Sequence, residues 1–334
     1  DPNRDSSLRL VGSEMCIRDR VTLAFDDASL TSGTWGLATP SSYGRLGVVI
    51  DSGAGTITRS YVAAEGVFAP GPATLDQLAF RGDPQRALDT EYEDVSIDGP
   101  LGAMPAWFID GDQTTWVIYV HGAGGRADAL RVIPIASAAG YPVLVVSYRN
   151  DPGAPASENG YVTWGFDEWA DVEAAIVFAL TAGAGDVFLI GSGMGASAVL
   201  VAPDETTHIR SIVGAVLDSP ILDLAAVEEA REPDAGVIGS LGRSLASWRF
   251  GVEWSRLDHV ARADDLNRPV LVLQGGRDRL VPAALGDAFA QAGGELVEYH
   301  RFEEAGHGQA WNVAPARYAG LVRDFLVKHT PVAE

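Results

Sequence analysis

The stretch Asp186–Leu200, "DVFLIGSGMGASAVL", decides the fold, and it fits two patterns. A short apolar run enters a glycine-rich turn, and the turn opens a small-residue helix. In one pattern Gly191, Gly193 and Ala196 spell G-x-G-x-x-G/A, the dinucleotide-binding fingerprint. In the other, the sharp strand-to-helix turn presents a nucleophile, and Gly193 stands where that nucleophile belongs.

The surrounding chain separates the two. A dinucleotide fingerprint belongs in the first strand–helix unit of its sheet, with an acid ending the next strand. Asp218 offers that acid, but several strands precede the turn, and no second nucleotide-binding half follows. The nucleophile pattern makes demands elsewhere. A glycine loop for the oxyanion should follow an early strand, and "VIYVHGAGG" supplies one after His121. An acid should follow a later strand, and "VLVLQGGRDRLVP" offers Asp278. A histidine should come last, and "YHRFEEAGHGQAWN" offers His307. Turn, acid and histidine stand in the chain order expected of that pattern.

From about Glu91 onward the chain resembles the α/β-hydrolase superfamily. More narrowly, "SYRNDPGAP", "DEWADVEAAI", "LDSPILD" and "AGHGQAWN" resemble a group of poorly characterised bacterial serine hydrolases of esterase, lipase or peptidase type. The resemblance implies an α/β fold: a mostly parallel central sheet, helices on both faces, a helical cap insertion and a β-rich N-terminal extension. It implies His307 as general base and acid, Asp278 as its orienting partner, and the N–H groups of Ala123 and Met194 as the oxyanion hole. The attacking oxygen belongs at position 193, where glycine has none. The implied function is hydrolysis of a carboxylic ester or amide through an acyl-enzyme, impaired in this chain. The rivals are a non-catalytic ligand-binding protein, a dyad enzyme in which His307 acts without a nucleophile, and an NAD(P)-binding oxidoreductase. No cofactor and no metal is expected. A serine codon AGC becomes GGC by one substitution, so a sequence error, an engineered knockout and a natural loss all fit Gly193.

Other candidates have plainer readings. Ser192 is one residue early and should point away from the histidine. Ser197 suits helix packing, and Ser219 suits a turn before Pro220. Asp218 is the second choice for the acid. His121 and Asp151 are read as loop-organising. His208, His259, His300 and His329 lack metal-ligand spacing.

The apolar runs "TWVIYVH", "YPVLVVSYR", "DVFLIG", "IRSIVGAVLD" and "RPVLVLQG" read as strands buried on both faces. Helices are expected over 126–139, 166–181 and 196–201. "EYEDVSI" and "MPAWFI" read as a hairpin around "DGPLGA". A cap is expected over about 222–262, carrying Trp248, Phe250 and Trp254, aromatics read as core rather than substrate wall. Residues 91–334 form the main domain and 21–90 the extension. There "YGRLGVVID" and "TITRSYVAAEG" read as strands, and "APGPATLDQLAFRGDPQRAL" as a loop with a turn of helix. Residues 1–20 lack periodicity, and Asp5–Arg20 resembles translated sequencing-adapter read-through, so this tail is left out of the fold as non-native or disordered.

The chain has 334 residues, 47% of them hydrophobic, and a net charge of −21. That charge argues against nucleic acid and anionic membranes as partners. Lys328 is the one lysine among 24 basic residues, and Cys16 is the single cysteine, so an internal disulfide is excluded. No apolar run is long enough to span a membrane. The expected partner is a small ester or amide. The cytoplasm is the expected compartment, subject to a native N-terminus that the tail would have replaced. Substrate identity and oligomeric state are not read from the sequence.

Overall fold

The computed structural model describes residues 7–12, 19–24, 31–53, 55–67, 69–232, 242–245, 247–249 and 252–332. Cys16, Phe250 and most of the first twenty residues lie outside that set.

The N-terminal extension is a closed antiparallel barrel. Its strands are β1 (Ser7–Gly12), β2 (Arg20–Ala24), β3 (Trp35–Ala38), β4 (Ser42–Gly53), β5 (Thr56–Gly66) and β6 (Gly71–Asp76), in the order β1-β2-β5-β4-β3-β6. Alternation sends Val21, Leu23, Leu37, Leu46, Ile57 and Tyr61 into one apolar cluster. Arg59 lies on that inward face, fully buried, and donates to the carbonyls of Thr31, Gly33 and Gly47. Burial pulls its guanidinium down to about 10.

The structure departs from expectation here twice. β6 occupies part of the stretch read as loop; its alternation is too short to stand out, and pairing with β1 and β3 makes it a strand. β1 falls within the tail left out of the fold. Its alternation is only four residues long, and backbone pairing with β2 and β6 makes it a strand. The turn of helix is present as Pro84–Leu88, capped by Asp83, whose Oδ1 accepts from the Arg86 N–H at 2.8 Å.

The main domain is an eight-stranded sheet ordered β14-β13-β12-β11-β9-β10-β8-β7. β7 (Glu93–Gly99) and β8 (Gly102–Ile109) form the antiparallel hairpin, with Gly99 opposite Gly102. The parallel strands are β9 (Thr115–Val120), β10 (Val143–Val146), β11 (Asp186–Ser192), β12 (Ile212–Asp218), β13 (Val270–Gly275) and β14 (Val297–Phe302). β9, β10 and β13 are buried on both faces for a visible reason, whereas the edge strand β14 (VEYHRF) is mostly half-buried. In β9, Trp116, Ile118 and Val120 enter one core, while Val117 and Tyr119 enter the other. Helices Trp169–Thr181 and Met194–Glu205 cover the first face; Ile133–Ala138 and Pro315–His329 cover the second.

Helix boundaries shift with local hydrogen bonding. The expected helix from Phe166 starts at Trp169, because buried Glu168 folds back to accept from the N–H groups of Thr163 and Gly165 and the Thr163 hydroxyl. The helix from Arg126 splits into a 3-10 turn, Gly125–Arg131, and helix Ile133–Ala138. The helix expected at 196–201 runs from Met194 to Glu205.

The segment between β12 and β13 holds helix Leu224–Arg231 and the turn Trp254–Leu257. Its apolar residues pack with Val201 and Val281. Trp254 joins that cluster, whereas Trp248 is 80% exposed and belongs to no core. Among the described residues, no helix is long and apolar enough to cross a membrane.

Candidate active site

β11 ends at Ser192, and helix Met194–Glu205 begins two residues later. Gly193 makes that reversal at φ 52° and ψ −115°, in the left-handed half of backbone space. The approach around it is tight. A Cβ on Gly191 would collide with Ala196, and one on Gly195 with the carbonyls of Val120 and His121. Position 193 is different. A Cβ there would meet only His307 Nε2 at 3.6 Å and Gly122 Cα at 4.0 Å. The turn points position 193 at the imidazole.

His307 lies on the loop after β14. Its Nδ1–H donates to Asp278 Oδ2 at 2.9 Å, which leaves Nε2 to face position 193. The Asp278 carboxylate is fully buried, and its other oxygen accepts from the N–H groups of Leu280 and Val281, each at 2.8 Å. Gln274 Nε2 donates to Oδ2 alongside His307, at 3.2 Å. The His307 side chain is 28% exposed, so solvent reaches the pair from the histidine side only.

Residues 117–321 match the alpha/beta hydrolase family. The chain belongs to that family. Residues 11–76 match a domain of unknown function, DUF8805, which spans most of the barrel. No curated protein matches this chain. Solved structures similar to it include an esterase from Pyrococcus furiosus, with a TM-score of 0.58 and 22% identity over 75% of this chain and 97% of that one. Another is a serine hydrolase without a lid from Xanthomonas campestris, at 0.52 and 16% identity over 73% and 98%. These likenesses show the fold.

The hydrolase's glycine loop follows β9. His121 is buried and engaged at both ring nitrogens: Nε2 meets Asp151 Oδ2 at 2.7 Å and Nδ1 meets the Gly122 carbonyl at 2.7 Å. Its ring stacks on Tyr148 at 4.4 Å. Gly122 N–H donates to Asp128 Oδ2, and Ala123 follows on the same loop. Met194 opens its helix, so its N–H is one of the donors a helix leaves without an internal partner.

The remaining candidates are engaged elsewhere. Ser192 is buried, and it helps to stabilise the Asp128 carboxylate. Ser197 Oγ donates to the Ile221 carbonyl. The Asp218 carboxylate is 1% exposed and accepts from Tyr318 and Ser219, so it meets neither His307 nor the space a ribose would need. Burial raises Asp218 above the usual carboxylate range, against the pull of Arg131. Burial also opposes ionisation of Asp128, yet the adjoining Arg131 guanidinium, Ser192 and Gly122 N–H hold it below that range.

Sequence reasoning missed three contributors, Arg131, Gln274 and Gln77, and gave a fourth, Ser219, only a turn role. Arg131 pairs with Asp128 and donates to the Gly308 carbonyl at 2.9 Å. Ser219 Oγ accepts from the Gly308 N–H at 2.8 Å. Gln274 supports Asp278, and Gln77 reaches the histidine loop from the barrel. Only Gln274 leaves a signal, as the one polar side chain in the apolar run of β13.

Proposed function

We propose that this chain carries the acyl-transfer apparatus of a serine hydrolase for a carboxylic ester or amide, complete except for the attacking hydroxyl at position 193. The observation behind it is the 3.6 Å from His307 Nε2 to a Cβ at Gly193. A serine oxygen one bond further falls within hydrogen-bond reach of that nitrogen. In this reading His307 takes the hydroxyl proton and later delivers it to the leaving group. Asp278 holds the tautomer, and the Met194 and Ala123 N–H groups receive the oxyanion.

As it stands the chain binds an acyl substrate without forming an acyl-enzyme. Loss of the nucleophile in such machinery leaves roughly 10³–10⁴-fold acceleration over water. The test is hydrolysis of p-nitrophenyl acetate and butyrate by this chain and by Gly193→Ser. Turnover by the serine variant alone supports the reading; no hydrolysis of any ester in a broad panel by either protein sinks it. Gly193 itself favours a second reading, a ligand-binding protein without turnover. Saturable binding of an ester with no hydrolysis even by the serine variant would establish that instead.

A further inference from the structure

We propose that the N-terminal barrel is part of the catalytic apparatus, with Gln77 as a positioning residue for the His307 loop. The inference rests on the hydrolase reading and assigns the barrel a task within it.

The contacts form a chain. β6 ends at Asp76, whose carboxylate accepts from the Leu78 N–H at 3.0 Å and the Tyr43 hydroxyl at 2.8 Å. Ala79, fully buried, closes this turn at φ 61°, an unfavourable conformation for a residue with a side chain. The turn is thereby fixed, and it aims two side chains at the hydrolase. Gln77 Nε2 donates to the Gly308 carbonyl at 3.4 Å, and its Oε1 accepts from Gln309 Nε2 at 3.3 Å. Leu78 lies on the oxyanion loop, close enough that a Cβ on Gly124 would stand 2.7 Å from its Cδ2.

A second tie runs beside the first. Asn312 is fully buried, and its Nδ2 donates to the carbonyls of Thr34 and Gln77 at 2.9 and 2.8 Å. The Thr34 N–H returns a bond to the Asn312 carbonyl at 2.7 Å. Gly33 permits this approach, since a Cβ there would collide with that carbonyl. Arg59, from inside the barrel, grips the Gly33 carbonyl at 2.7 Å. The loop from Gly306 to Asn312 is thus anchored to the barrel core at its far end.

Gly308 is the residue after the base. Its N–H is held by Ser219, and its carbonyl is shared by Arg131 and Gln77. Three separate elements therefore fix one residue, through the peptide units on either side of it. A catalytic imidazole must be placed within a fraction of an ångström, and misplacement by 1 Å costs up to about 10²-fold in rate. Without Gln77 the carbonyl keeps Arg131, so the loop stays folded while its position loosens.

The experiment has two arms on the full chain. In the Gly193→Ser protein, Gln77→Ala is expected to lower kcat about tenfold, with KM and Tm nearly unchanged. Gln77→Glu keeps the acceptor for Gln309 but sets a carboxylate oxygen against the Gly308 carbonyl, and should lower kcat at least as far as Gln77→Ala. In the chain with Gly193, proton NMR of the His307 Nδ1–H should show broadening or loss on Gln77→Ala. Unchanged kcat and an unchanged resonance overturn the inference. A loss of kcat matched by a comparable fall in Tm overturns it too, since that is a merely structural role. If Gly193→Ser hydrolyses no ester, the hydrolase reading fails, and the NMR arm alone decides the positioning.

Discussion

His307 Nε2 stands 3.6 Å from the place a Cβ on Gly193 would take, with nothing else there but Gly122 Cα. A side chain at 193 therefore meets no clash, only a backbone penalty at φ 52°. Gly193→Ser and Gly193→Ala should each cost on the order of 1 kcal/mol, read as a lower Tm. Only the serine variant should gain hydrolysis. Equal or higher stability in both would contradict the strained turn.

Asp278 and Asp218 should separate cleanly. In the Gly193→Ser background, Asp278→Asn is expected to cost roughly 10³–10⁴-fold in kcat, because an amide favours the wrong imidazole tautomer. Asp218→Asn leaves the His307–Asp278 bond intact and should act through stability. Steady-state kinetics and thermal melts of the two variants distinguish them, and a kcat loss at Asp218 as large as that at Asp278 would reverse the assignment.

Arg131→Met should destabilise by about 3–5 kcal/mol, because it leaves the Asp128 carboxylate buried without its cation. The double variant Arg131→Met/Asp128→Leu should recover much of that loss. Denaturant titration of the single and double variants measures it; a single variant as stable as the parent would show that the pair contributes nothing.

His259 makes stability depend on pH. It is 4% exposed, and its Nε2 has no hydrogen-bond partner. Burial, aided by Arg262, pulls it down to about 3. The folded chain keeps this ring neutral while the unfolded chain protonates it near 6.5. The unfolded state therefore binds more protons between those values, and stability falls as pH drops from about 6.5 towards 3. His259→Phe should remove up to one proton from that slope, about 1.4 kcal/mol per pH unit. Parallel stability curves for parent and variant would show that His259 does not titrate on unfolding.

Much of the main domain is legible before folding. The apolar runs at Thr115–Val120 and Val270–Gly275 are buried on both faces, so their composition alone marks strands. Order and glycine context single out Gly193, Asp278 and His307, which the fold brings together. Asp278 and His307 follow strands of the sheet, and such loops meet at the strands' carboxyl ends. The supporting shell was not legible. Arg131, Ser219 and Gln77 converge on Gly308 from three distant segments, and no local pattern encodes a hydrogen bond across the fold. The strand β6 was hidden for a similar reason: its pairing partners, not its six residues, make it a strand.

Local chemistry determined the buried strands of the main sheet, the sharp turn at Gly193 and the chain order of Asp278 and His307, because periodicity and glycine placement act over a few residues. Tertiary structure decided which acid serves His307. Asp278 and Asp218 both follow buried strands, but only Asp278 faces the imidazole, while Tyr318 and Ser219 enclose Asp218. It also decided what Gly193 means. The same letters spell a dinucleotide loop, and the 3.6 Å from His307 Nε2 to a Cβ at Gly193 is what supports reading the position as that of a hydroxyl.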